Sequence, residues 1–162
     1  YGSGVVRVMN GILLLVPMWV ALVSLRSDHG GEYFLLLMLI IWAADSGAYF
    51  VGKAIGKRKL APKVSPGKSI EGVFGGIGAA LIVTTIFLQY QGIDIDKYVG
   101  LLLLTVVISC VSVLGDLFES LFKRTANIKD SGQILPGHGG VLDRIDSLTA
   151  AAPFFLLGLS FI

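Results

Sequence analysis

The chain has 162 residues, 54% of them hydrophobic and only 15% charged, with a mean hydropathy of +0.81 and a formal net charge of +2. A soluble domain carries about a quarter charged residues, so this composition excludes an ordinary soluble fold and predicts an all-α polytopic integral membrane protein. A single cysteine, Cys110, lies inside an apolar run, which excludes an internal disulfide and reads as a small buried hydrophobe.

The sequence begins at Tyr1, enters an apolar segment almost at once, and shows no small-residue cleavage site after it. It is read as a single membrane domain over residues 1 to 162, the C-terminal portion of a longer protein. Crossing a hydrocarbon core of about 30 Å as a helix takes about 20 apolar residues. Four segments meet that length, at about 8 to 25, 33 to 56, 70 to 90 and 98 to 119. A fifth, about 147 to 162, is shorter, and its Pro153 predicts a kink.

With Arg7 on one side, five spans place eleven of the thirteen Lys and Arg residues on that side and only Arg26 and Lys97 opposite. The positive-inside rule makes the first side cytoplasmic. The two outer loops, R-S-D-H-G-G-E and Q-G-I-D-I-D-K, are short turn-like connections, and His29 in the first reads as solvated.

The second span carries Asp45 near its middle, with Tyr49 and Lys53 following at helical spacing on the same face. A carboxylate at that depth predicts that this face looks into the protein or a water-filled cavity, as a structural hydrogen-bonding group or as part of a site. The loop that follows, K-R-K-L-A-P-K-V-S-P-G-K-S-I-E-G, has no carboxylate before Glu71 and suits anionic head groups. Its second half predicts an N-cap at Ser69, a first-turn acid at Glu71, and a basic, Gly-containing cradle for phosphate around Ser65, Lys68 and Ser69. Gly72, Gly75, Gly76 and Gly78 follow; the G-x-x-x-G from Gly72 to Gly76 predicts close helix packing.

The fourth span bears a polar stripe, Ser109, Ser112, Asp116, Glu119 or Ser120, and Lys123, predicted to lead from the membrane to the cytoplasmic surface. It runs into the stretch around which the chain is organised. Residues 115 to 146 hold five of the eleven carboxylates, four basic residues, His138 and a Pro-Gly-His-Gly-Gly turn. A new helix is predicted from about Val141, with Asp143, Asp146 and Ser147 on one face of its first turns. Carboxylates there, with Asp116 opposite, suit a hard divalent cation. Lys123, Arg124, Lys129, His138 and Arg144 suit phosphates, so the stretch reads as a phosphate-handling centre for phosphoryl or nucleotidyl transfer. Asp130 reads as a cap or ion-pair partner. No P-loop, zinc spacing or G-x-S-x-G is present.

The run S-L-F-K-R-T-A-N-I-K-D-S-G-Q-I-L-P-G-H-G-G-V-L-D-R-I-D, Ser120 to Asp146, resembles the motif of the CDP-diacylglycerol synthase (phosphatidate cytidylyltransferase) family. The match extends over Ser120, Lys123, Arg124, Lys129, Asp130, Gly132, Pro136, His138, Gly139, Gly140, Asp143, Arg144 and Asp146. D-S-G-A-Y-F-V-G-K from Asp45 and S-P-G-K-S-I-E-G-V-F-G-G from Ser65 are also similar to the family, with Gly67 standing where a basic or polar residue is expected.

The resemblance implies Mg²⁺-assisted attack of the phosphatidate phosphate on the α-phosphorus of CTP, giving CDP-diacylglycerol and pyrophosphate in the inner (cytoplasmic) membrane. It implies Asp116, Asp143, Lys123 and Arg144 as catalytic and Asp116, Asp143 and Asp146 as metal ligands, with room for a second cation. Ser65, Lys68, Ser69, Ser120, Arg124, Lys129, His138 and Asp45 are implied as substrate-binding. The partners expected are CTP, phosphatidate, membrane lipids and a second copy in a homodimer, with no nucleic acid. Two other readings compete: a CTP-dependent transferase for another lipid phosphate, and an ion-coupled transporter using Asp45 and Asp116 inside the membrane.

Overall fold

The computed structural model describes residues 4 to 125 and 142 to 162. Among these described residues five helices carry the fold: α1 (Gly4–Ser24), α2 (Gly31–Ile55), α3 (Ile70–Gln91), α4 (Ile95–Thr125) and α5 (Leu142–Leu159). Four spans among the described residues, Gly11–His29, Gly31–Ile55, Ile70–Gln91 and Lys97–Thr125, are long and apolar enough to cross a membrane, and α5 supplies a shorter apolar helix from Ile145 to Leu159. The expected all-α polytopic membrane architecture is therefore present, with helix ends within a few residues of expectation at α2 and α3.

Two local features differ from expectation. The first outer connection is a π-helical turn, Leu25–His29, ending at Gly30, whose φ of 89° is open to glycine and strained for other residues. Cys110 is exposed rather than buried, on a helix whose apolar outer side is broad.

The larger departure lies between α2 and α3. The basic loop folds as a small antiparallel hairpin, β1 (Lys59–Ala61) and β2 (Ser65–Ser69), pairing Lys59 with Ser69 and Ala61 with Ser65. Its tip is closed by the Val64 amide donating to the Ala61 carbonyl at 3.1 Å.

Helix α2 packs along α3, α4 along α5, and α1 along α5, while α3 joins the two halves through α4. The α2–α3 seam is made by small residues, as the G-x-x-x-G predicts. A Cβ added at Gly76 would stand 2.5 Å from the Ala44 carbonyl oxygen, and one at Gly72 2.8 Å from that of Ala48. Backbones approach this closely only where neither side carries bulk. Between α3 and α4 a buried pair, Thr84 and Thr105, shares a hydrogen bond of 2.9 Å. The Thr105 and Ser109 hydroxyls also donate to the carbonyls one turn back, at 2.8 Å each. The inner half of the α4 polar stripe is thus buried: Ser109 is satisfied within its own helix, whereas the Ser112 hydroxyl has no hydrogen-bond partner among the described residues.

Arg124, near the end of α4, donates from Nε to the Val64 carbonyl at 3.4 Å, which puts the hairpin tip and the α4 terminus on one side of the bundle. In a Cys110→Ser background, cysteines placed at Lys63 and Thr125 should label with a membrane-impermeant reagent from the same side. One at Asp94 should label from the opposite side. Labelling of Lys63→Cys and Thr125→Cys from opposite sides would overturn this topology.

Candidate active site

The hairpin is held at the head of α3 by its own sequence. Ser69 is extended (φ −124°, ψ 155°), and its buried hydroxyl accepts the Gly72 amide at 3.1 Å, a helix N-cap. Gly52, Gly56 and Gly72 crowd that hydroxyl. The side chain proposed for substrate is therefore committed to the cap, turned into the protein. Glu71, one residue inside α3, reaches back: one carboxylate oxygen accepts the Lys57 and Arg58 amides at 3.2 Å each, and the other pairs with Arg58 Nε at 3.0 Å.

From β2, Lys68 extends across to α4 and pairs its ammonium with the Asp116 carboxylate; both side chains are about a quarter exposed. The second Asp116 oxygen accepts from Ser120, one turn along α4, at 3.3 Å. Asp146, near the start of α5, accepts the Ser147 amide at 2.7 Å. Asp45 of α2, Asp116 of α4 and Asp146 of α5 are near enough to act on one another electrostatically, and Lys68 acts on all of them. Lys123 also acts on Asp146, while it pairs with Glu119 at 3.2 Å. Among the described residues, three helices and the hairpin thus bring three carboxylates within electrostatic range of the Lys68 ammonium, with Lys123 also acting on Asp146.

The other candidates are distributed unevenly. Ser65 lies half-buried in β2. Arg124 is turned to the hairpin tip. Asp143 and Arg144 stand in the first turn of α5, but their side chains, like all of Lys129 and His138, lie outside the described residues. The Asp45, Tyr49 and Lys53 face is exposed rather than enclosed, with Lys53 5.7 Å from the centre of the Tyr49 ring. The reason lies in α2 itself, whose buried side is Leu36, Leu37, Ile40, Ile41 and Ala44, leaving Asp45 on its flank.

An apolar cavity of about 560 Å³ opens between the hairpin, α4 and α5, lined by Val64, Leu114, Phe118, Leu121 and Phe154 among others. Helical spacing places Leu114, Phe118 and Leu121 on the side of α4 away from Asp116, so this cavity is separate from the charge cluster. Among the described residues no three acidic, His or Cys side chains make a metal cage. The carboxylates of Asp116 and Asp146, within electrostatic range of one another, are oxygen donors of the kind a hard divalent cation takes.

A family model described as the cytidylyltransferase family matches residues 3–162. This chain belongs to the cytidylyltransferase family. Within it, the chain is 53% identical over 151 residues to a phosphatidate cytidylyltransferase of Haemophilus influenzae, covering 87% of this chain and 52% of that protein. It is 52% identical over 150 residues to the Pseudomonas aeruginosa phosphatidate cytidylyltransferase, covering 92% and 55%. It is also 52% identical over 134 residues to that of Bacillus subtilis, covering 82% and 49%. The chain spans about half the length of these relatives.

Sequence reasoning missed two members of the candidate site's support, Arg58 and the backbone role of Glu71. The signal was a lone acid following five cations, which the helix-dipole reading of Glu71 had already accounted for.

Proposed function

We propose that the protein containing this chain transfers the cytidylyl group of CTP to phosphatidate at the cytoplasmic face of the inner membrane. The observation that carries this reading is the meeting of Lys68, from the hairpin, with Asp116, in reach of Asp45 and Asp146. The relatives' names supply the substrate class. A phosphatidate oxygen attacks the α-phosphorus of CTP, a new P–O bond forms, the α–β bridge breaks, and pyrophosphate leaves with its electron pair. The nucleophile is already ionised, so no strong base is required; repulsion between two polyanions is the obstacle.

Lys68 and Lys123 supply positive charge at that meeting point, with Arg124, Lys129, His138 and Arg144 proposed on the phosphates. Ser65 offers a hydroxyl from β2, and Ser120 orients Asp116. Asp45 borders the membrane side of the cluster. Asp116, Asp143 and Asp146 are proposed to hold Mg²⁺, which when bound supplies charge neutralisation at the transferring phosphoryl group. A homodimer is proposed as the assembly.

The test is CTP-dependent conversion of phosphatidate by the full-length protein, with polyprenyl and ether-lipid phosphates as alternative acceptors. Preference for one of those acceptors would overturn phosphatidate as the substrate, and no transfer to any would overturn the enzyme reading. Lys68→Ala should lower kcat/KM by about a hundredfold, as expected for one charged donor aimed at a transferring group. Its melting temperature in detergent should move little, since the Lys68–Asp116 pair is partly solvated. Normal kinetics with a large loss of stability would make Lys68 structural.

A further inference from the structure

A two-stranded hairpin is marginal on its own, and this one has strands of three and five residues with a register irregularity between Lys59 and Ala61. It nonetheless carries the ammonium that meets Asp116. A lysine stem is flexible, so its head is placed only as well as its backbone is fixed.

The fixings are unequal. At the tip, Arg124 offers a single long bond of 3.4 Å to Val64. At the root, the Ile70 amide donates to the Arg58 carbonyl at 2.9 Å, and Glu71 adds three further bonds, two of them to backbone amides. Those amides, of Lys57 and Arg58, begin the chain's entry into β1, while Glu71 itself follows Lys68 by three residues. One carboxylate therefore ties the first strand to the exit of the second. The Arg58 side chain is 70% exposed, so the ion pair is screened and the backbone bonds hold the root.

We propose that Glu71 is a positioning residue for the transfer reaction: by clamping the hairpin root it holds Lys68 against Asp116. This rests on the reading of Lys68 as a phosphate-binding cation. A helix-capping role alone would make Glu71 matter for stability and leave its effect independent of Lys68.

Full-length Glu71→Ala should lower kcat/KM about tenfold, less than the roughly hundredfold that misplacement by a full ångström can cost. In a Lys68→Ala background the same change should add nothing, because both act through one group. Arg58→Ala should give a smaller fall, and Glu71→Gln, which retains a carbonyl acceptor, an intermediate one. If Glu71→Ala does not insert, Glu71→Gln carries the same comparison. Mass-spectrometric labelling with an amine reagent gives a readout apart from activity: Lys68 should become more reactive in Glu71→Ala while the exposed Lys59 does not change. Equal falls in both backgrounds, or Lys68 labelling unchanged, would overturn the proposal. Full activity of Lys68→Ala would instead remove the phosphate-binding reading, and the labelling would still decide the positioning.

Discussion

Asp116→Asn in the full-length protein is expected to lose cytidylyl transfer by at least about a hundredfold, since even outer-shell partners of a metal commonly cost ten- to a hundredfold. Asparagine keeps the size of the side chain and can still accept from Ser120, whose hydroxyl lies 3.3 Å from the carboxylate. It removes the charge that faces Lys68 and that a hard cation requires. Asp143→Asn should behave alike, since Asp143 opens α5, whose early turns bring Asp146 into electrostatic range of Asp116. Added Mg²⁺ is expected to raise the melting temperature of the unmodified protein, and both variants should lose that rise. Near-normal turnover with an unchanged Mg²⁺ requirement in either one would remove it from the ligand set.

Gly76→Ala is expected to be strongly damaging in the membrane core. Its Cβ would fall 2.5 Å from the Ala44 carbonyl oxygen, a backbone atom that moves only if α2 and α3 separate. Overpacking of this kind costs about 1–3 kcal/mol and occasionally more. Gly78→Ala is the matched control, because nothing lies within 4 Å of the added Cβ. On helix propensity alone it should be neutral or stabilising, by up to about 1 kcal/mol. The comparison is a thermal melt in detergent, with a clear drop for Gly76→Ala and none for Gly78→Ala. Coincident melts would mean that the two helices are not in backbone contact.

The spans were legible because apolar length is a local property and a bilayer allows few alternatives to it. Ser69 as a cap and Gly72 to Gly76 as a packing face were legible for the same reason, each depending on neighbours within a turn. The hairpin was not. K-R-K-L-A-P-K-V-S-P-G-K-S has two prolines and no sustained alternation, and what holds it together arrives from Glu71 and Arg124, outside the strands.

The Lys68–Asp116 pair joins residues 48 positions apart on different elements, beyond what periodicity reports. Sequence placed both in the candidate site through chemistry and family likeness, without indicating that they touch. For Asp45, depth in an apolar run argued for enclosure, yet the side of α2 on which it falls was decided by Leu36, Ile40 and Ala44.

Helix α4 has 31 residues, about 46 Å at 1.5 Å per residue. Asp116 stands 21 residues from its outer end at Ile95, a rise of about 32 Å, close to the roughly 30 Å thickness of a hydrocarbon core. The helix thereby acts as a depth gauge. With Ile95 at the outer boundary, as the proposed function requires, it would set the carboxylate at the level of the glycerol phosphates of the opposite leaflet and leave its last two turns in water. Under the proposed function, a lipid phosphate would reach Asp116 and Lys68 by lateral diffusion within its own leaflet, with its acyl chains still solvated by their neighbours. The proposed water-soluble nucleotide would have to come down only to the head-group plane, so neither reactant would cross into the other's solvent.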